Sequence, residues 1–352
     1  MPRHRTRVLI VDDSAIVRKI LSDTLAGEPD IEVVGTAPDP YIARDRILSL
    51  KPDVLTLDIE MPRMDGLTFL RKLMHFHPIP TVVISSLAQP SCRAAIAALE
   101  LGAVEVLGKP GGPYSVGELK DTLATKVRAA ACARVGRPVP ATAFEADRSG
   151  PPLNGSHLSD GRIIAIGAST GGTEAIAAVL ARVPAACPPI LIAQHIPPVF
   201  SKAFANRLND HCAIEVREAQ DGDEIRPGLA LIAPGDVHMV LRRSSGRYFV
   251  SLRRGPKICY QRPSVDVLFA SAAEAAGGAA TGVLLTGMGA DGAQGLLAMR
   301  QAGGHTIAQD EATCVVYGMP REAVERGAAV QVLPLPSIAA AMLAPARALG
   351  AR

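Results

Sequence analysis

Short apolar runs alternate with stretches whose apolar residues recur at helical spacing, and they do so on both sides of a segment with no hydrophobic period. In roughly the first 125 residues the runs are RVLIV (7–11), IEVVGT (31–36), DVLTLD (53–58), TVVIS (81–85) and AVEVL (103–107). Between them lie SAIVRKILSDTLAG, PYIARDRILSL, GLTFLRKLMHF and PSCRAAIAALELG, and a last helix is predicted over 115–133. Five strands alternating with five helices predict an α/β domain, a (βα)5 parallel sheet covered on both faces. Residues 134–160 are rich in Pro, Gly and Ser and read as a partly extended tether. The alternation resumes at RIIAIG (162–167), with strands near 190–194, 229–233, 281–286 and 305–308 and a hairpin around 238–252. A second, doubly wound α/β domain with an inserted hairpin is therefore expected.

The chain has 352 residues, a net charge of +3 and no Trp, and its Lys and Arg are scattered. With few rings to stack on bases and no basic field, nucleic-acid binding is not expected. The six cysteines are widely separated without a C-x-x-C pair, against a zinc site or a disulfide framework. The stretch MPRHRTRVLIVDD runs into acidic residues rather than a signal core, and no apolar run approaches the ~20 residues of a membrane helix. A reduced cytoplasmic protein without membrane insertion is expected.

Ligands of open parallel sheets collect at the C-terminal strand ends. Asp12 and Asp13 follow the first strand, Asp58 ends the third, Ser85 and Ser86 the fourth, and Lys109 the fifth. Carboxylates gathered there suit Mg²⁺, and with a hydroxyl and a lysine they can accept and hold a phosphoryl group. Taken singly, an aspartate such as Asp13 before SAIVRKI is as readily a helix cap. Gathered together at four strand ends, these positions favour function. The motifs LIVDDS, LTLDIEMPRMDG, VVISS and LGKP resemble the receiver domain of response regulators. The resemblance implies that Asp58 takes a phosphoryl group from a histidine kinase. Asp13 and Asp58 would bind Mg²⁺ directly, with Asp12 helping and the backbone carbonyl of Glu60 completing the set. Ser85 would be the hydroxyl switch and Lys109 the phosphate-binding lysine. Val106 stands where many receivers carry an aromatic that rotates on activation.

In the second half, IIAIGASTGGTEAI (163–176) reads as strand, glycine-rich turn and helix, and Gly167 to Gly171 fits G-x-S-x-G. Such a turn can cradle phosphate or present Ser169 as a nucleophile. The segment has no lysine and no G-x-G-x-x-G, which weakens the cradle. A nucleophile needs a base and an orienting acid. His195 closes PILIAQHIPP at a strand end and is favoured by placement, with His238 as rival; His211 ends a polar helix and His305 begins a strand. Asp291, in the glycine-rich GMGADG, competes with Asp236 and Asp266. The chain order Ser, His, Asp differs from the Ser, Asp, His of α/β-hydrolases and excludes that fold family.

AIGASTGGTEAI, AQHIPPVFSKAFANRLN, IAPGDVHM, RPSVDVLFASAA, LLTGMGADGAQGLLAM and AQDEATCVVYGMPREA resemble the catalytic domain of the chemotaxis protein-glutamate methylesterase/glutaminase family, the CheB type. The resemblance implies Ser169 as nucleophile, His195 as general base and acid, and Asp291 as its orienting partner. Thr170 would lie beside the histidine, the Met288 N–H near the oxyanion, and His238 in the site wall. It places a receiver at 5–125, a linker at 126–158 and the esterase at 159–350. The implied substrates are glutamyl methyl esters and glutamines on cytoplasmic helices of methyl-accepting chemotaxis receptors, with no cofactor for the esterase step. Two other classes compete: a non-catalytic, phospho-dependent binding regulator, and a small-molecule esterase with a deep apolar pocket. The receiver is expected to cover the Ser169 cleft until Asp58 is phosphorylated, and the glycines around Ser169 to clear a substrate backbone.

Overall fold

The computed structural model describes residues 5–86, 89–109, 116–135 and 161–344, in two compact units. The expected tether beyond residue 135, with His4, Pro110 and His157, lies outside the described residues. No described helix is long and apolar enough to cross a membrane.

The first unit alternates β1 (Thr6–Val11), α1 (Ala15–Ala26), β2 (Ile31–Ala37), α2 (Pro40–Leu50), β3 (Val54–Asp58), α3 (Gly66–Phe76), β4 (Thr81–Ser85), α4 (Gln89–Glu100), β5 (Glu105–Gly108) and α5 (Val116–Ala131). Its sheet is parallel, in the order β2-β1-β3-β4-β5. Every residue of β3, β4 and β5 is buried, which is why these strands read as continuous apolar runs rather than alternating ones. Polar residues after the strands start the helices. Ser14 caps α1 by accepting Val17 N–H, Asp39 caps α2 from Tyr41 and Ile42, and Asp65 caps α3 from Thr68. Asp13, the expected alternative cap, is exposed and does not cap α1. Because β1 lies between β2 and β3, the order reverses between β1 and β3, and Val11 pairs with Leu57 there. Asp12 and Asp58 thus leave adjacent strands at a topological switch point.

The second unit begins with β6 (Ile163–Ala168), α6 (Gly172–Leu180), β7 (Ile190–Gln194), α7 (Pro198–His211), β8 (Glu215–Glu218) and β9 (Leu229–Ile232). The hairpin β10 (His238–Ser244) and β11 (Arg247–Arg253) follows, then α8 (Val265–Ala276), β12 (Ala280–Leu284), α9 (Ala293–Gln301), β13 (His305–Gln309), α10 (Met319–Glu325), β14 (Gln331–Leu333) and α11 (Leu335–Leu343). The sheet is parallel in the order β14-β13-β12-β6-β7-β9-β8, with the hairpin separate. Its order reverses between β6 and β12, so this unit too has its switch point beside its first strand. The α8 side chains Leu268, Phe269 and Ala272 join Leu284, Leu296, Met299 and the hairpin's Met239, Leu241 and Val250 in one core. That core fixes the start of α8 against the strand ends.

The edge strands β8 and β14 carry no apolar run that predicts them. EVRE buries only Val216, and QVL is half-exposed throughout or more. Both are short, as edge strands commonly are, and a short edge needs little apolar surface.

Candidate active site

Ser169 follows β6 and His195 follows β7, and these strands pair directly, Ala168 opposite Gln194. Asp291 follows β12, which flanks β6 on the other side. Three neighbouring strand ends thus carry Ser, His and Asp, all buried. The Ser169 turn is held by its own carbonyl, which accepts Gly172 N–H at 2.7 Å and Gln194 Nε2–H at 2.9 Å, while Ser169 N–H donates to Thr286 O at 3.0 Å. Gly171 sits at φ +75°, and a Cβ there would lie 2.5 Å from Val315 Cβ. The glycine therefore clears the protein's own wall. Gly287 is equally constrained: a Cβ there would lie 2.7 Å from Ser169 Cβ, which brings the Met288 segment against the serine. Among the described residues Met288 N–H makes no backbone hydrogen bond.

His195 Nε2 lies 2.8 Å from Asp291 Oδ2. Its Nδ1 is buried without a partner, and no hydrogen bond joins it to Ser169 Oγ among the described residues. Asp291 collects four donors. Ser264 Oγ–H (2.8 Å) and Asp266 N–H (3.0 Å) reach Oδ1, and Val265 N–H (2.8 Å) joins His195 at Oδ2. Three of them come from the start of α8, where the helix dipole favours negative charge. Burial works to raise the Asp291 pKa, but the His195 hydrogen bond and charge and the α8 amides outweigh it and hold the carboxyl below its ordinary value.

The rival residues have other employment. His238 accepts Ser264 N–H on Nδ1 at 3.1 Å and meets Pro256 O through Nε2 at 2.9 Å, so neither ring nitrogen is free for a nucleophile. Asp236 pairs with Arg262 at 2.6 Å, and Asp266 accepts Gly295 N–H at 2.7 Å. His211 is exposed, and His305 starts β13, at the opposite end of the sheet from the serine. Thr170 is buried, and its carbonyl accepts Thr286 Oγ1–H at 3.0 Å; among the described residues its side chain makes no hydrogen bond to His195. Sequence reasoning passed over Ser264, Gln194 and Thr286. Only Ser264 carried a signal, as a serine directly before the helical run VDVLF.

In the first unit the ligand atoms of Asp12, Asp13 and Asp58 lie within 4.8 Å of one another. Lys109 Nζ is 2.7 Å from Asp58 Oδ2 and 3.7 Å from Asp12 Oδ2. Glu60 N–H donates to Asp58 Oδ1 at 3.1 Å, while Ser85, buried at the end of β4, donates to Ser86 O at 3.2 Å. Burial and the charge of Asp58 push Asp12 up to about 6; burial also raises Asp58, against the hydrogen bond from Lys109. Asp12 Oδ2 is buried and makes no hydrogen bond. An orphaned carboxylate oxygen beside two more carboxylates is a donor set that fits a hard divalent cation. Val106 is buried in β5.

Residues 164–342 match the CheB methylesterase family, and residues 8–121 match the response regulator receiver domain. The chain is 55% identical over 337 residues to protein-glutamate methylesterase/protein-glutamine glutaminase 2 of Syntrophus aciditrophicus, covering 95% of this chain and 97% of the relative. Against the protein-glutamate methylesterase/protein-glutamine glutaminase of Salmonella typhimurium the identity is 51% over 342 residues, 97% of each chain. Among solved structures, the CheB methylesterase catalytic domain of Thermotoga maritima is 40% identical with a TM-score of 0.51, covering 52% of this chain and 98% of that one. Both matched regions coincide with the two sheets whose switch points carry the clusters described above. With half the residues shared along almost the whole length, the chain belongs to the CheB methylesterase family with an N-terminal receiver domain.

Proposed function

We propose that this chain is a phosphorylation-controlled protein-glutamate methylesterase and protein-glutamine glutaminase, acting on the cytoplasmic helices of methyl-accepting chemotaxis receptors through an acyl-serine. Its parts are a receiver at 5–125, a linker at 126–158 that includes the end of the last receiver helix, and the esterase at 159–350. The observation that carries the reading is the buried His195–Asp291 pair beside the Ser169 turn. With Nε2–H donated to Asp291, the lone pair of the second nitrogen is on Nδ1, which becomes the base.

Ser169 Oγ attacks the γ-carbonyl carbon and its proton passes to His195 Nδ1. The oxyanion that forms is met by Met288 N–H in a site supported by Thr170, one backbone donor being worth typically ~3 kcal/mol. Imidazolium then protonates the leaving oxygen or nitrogen, and methanol or ammonia departs. A water, deprotonated by the same nitrogen, attacks the acyl-serine and frees the glutamate and Ser169. Asp291 stays ionised throughout and steadies the imidazolium.

Control belongs to the receiver. Asp58 accepts a phosphoryl group from a histidine kinase, with Ser85 and Lys109 engaging the phosphate. Asp13, Asp58 and the Glu60 carbonyl would hold Mg²⁺, assisted by Asp12. When bound, Mg²⁺ supplies positive charge that offsets the phosphoryl oxygens. Substrate and phosphoryl donor set the place of work as the cytoplasm. In a test, methanol release from methylated receptor membranes falls at least about 10⁴-fold in Ser169→Ala, while phosphorylation of Asp58 persists. If release continued unchanged, Ser169 would not be the nucleophile; a wild type that released no methanol, with signalling retained in Ser169→Ala, would make the second unit a non-catalytic binding regulator.

A further inference from the structure

The segment between β11 and α8 has a feature that this reaction does not use. Ile258 and Gln261 form a narrow antiparallel bridge, Ile258 N–H donating to Gln261 O at 3.1 Å and Gln261 N–H to Ile258 O at 2.8 Å. The two residues at its tip, Cys259 and Tyr260, have φ of 48° and 63°. Positive φ at both central positions is the mark of the tight hairpin turn that Asn and Gly ordinarily fill, and each non-glycine residue held there costs about 1 kcal/mol or more. The core gains nothing in return, for Tyr260 is 92% exposed. The turn is anchored on both flanks, since Pro256 O meets His238 Nε2 and Arg262 donates to Gly255 O at 2.6 Å while pairing with Asp236. It also abuts the triad: Cys259 Sγ lies within 4.8 Å of carboxylate oxygens of Asp266 and Asp291.

The rim around this turn is positive. Arg253, Arg254 and Lys257 are exposed and form no ion pair among the described residues, whereas the nearby Asp236 is already matched by Arg262. An exposed aromatic residue on a turn whose neighbouring thiol lies within 4.8 Å of a catalytic carboxylate, flanked by unmatched cations, fits a protein surface, not a small ester. We infer that residues 254–260 form the docking ledge for the substrate helix: Tyr260 packs on its apolar flank, and Arg254 and Lys257 engage carboxylates next to the reactive ester. The occupant is an acidic amphipathic helix. The argument for it is charge complementarity together with continuity with the esterase site, and it rests on the functional reading above. A glutamyl ester set among glutamates is the chemistry such a ledge selects.

The test uses full-length protein activated with acetyl phosphate and Mg²⁺. It compares two helical peptides bearing one glutamyl γ-methyl ester, flanked in one by glutamates and in the other by glutamines, with p-nitrophenyl acetate as reference. The wild type is expected to favour the acidic peptide by about tenfold in kcat/KM, mostly through KM, with the preference shrinking as salt is raised. Tyr260→Ala should lower the peptide-to-reference ratio about tenfold by raising KM. Arg254→Glu with Lys257→Glu should reverse the preference, whereas Arg247→Glu, at the other end of the hairpin and paired with Glu224, should leave it in place. A charge-reversed ledge that still prefers the acidic peptide, or a Tyr260→Ala enzyme with unchanged KM, overturns the ledge while the esterase reading stands. A wild type that releases methanol from neither peptide overturns the reading itself and the ledge with it.

Discussion

Asp291 is surrounded by donors alone, with two hydrogen bonds on each carboxylate oxygen. An amide cannot satisfy that arrangement, because its NH₂ group would face two of the four. Asp291→Asn is therefore expected to lower kcat by about 10³–10⁴-fold, through loss of the imidazole's tautomer and orientation. It should also cost about 1–3 kcal/mol of stability in urea unfolding. Ser264→Ala leaves the other three donors in place but removes one from Asp291 Oδ1 and unties the α8 cap, for about 1–2 kcal/mol. The depressed Asp291 pKa fixes a sign in pH. Its contribution is whole above the unfolded carboxylate value of about 3.9 and is lost as pH falls through the lower folded value. Asp291→Asn should therefore flatten the acid limb of the stability curve below about pH 4.

Elements explain why those residues meet. Phe269 is fully buried in the core that seats α8 against the strand ends, and Phe269→Ala should cost about 3–5 kcal/mol in urea unfolding. Gly171→Ala puts a side chain at φ +75° and against Val315, so a loss of about 1–3 kcal/mol and a displaced Ser169 turn are expected, read by melting and by ester turnover. The central strands were legible because strands buried on both faces are largely apolar, as TVVIS is apart from its ends and VLTLD apart from Thr56 and its terminal Asp58. The positions of Ser169, His195, Asp58 and Lys109 followed from where those runs stop. EVRE and QVL gave no such signal, since an edge strand needs little apolar surface. Ser264 was illegible as a partner of Asp291 for another reason: 27 residues separate them, and only the packing of α8 closes the gap. Gly171 and Gly287 clear Val315 and Ser169, neighbours that only the folded chain brings to them.

At the scale of the molecule, two sheets carry two chemistries, and the proposed coupling between them is measurable. A chain beginning near residue 155 should turn over ester faster than the unphosphorylated full chain, and Asp58→Ala should abolish stimulation by a phosphodonor; equal rates would remove the receiver's restraint. Chelating Mg²⁺ should stop phosphoryl uptake without altering the basal ester rate, because the esterase cluster supplies its own charge. The switch point of the second sheet has a further consequence. Its first strand, β6, is central; β7 is laid down on one side, and β12 only later on the other. With the serine after β6, the histidine after β7 and the aspartate after β12, the chain writes its reactive groups in the sequence nucleophile, base, acid. The acid that aims the histidine is thus written nearly a hundred residues after it, and any fragment that stops short of β12 would hold a serine and a histidine with nothing to aim them.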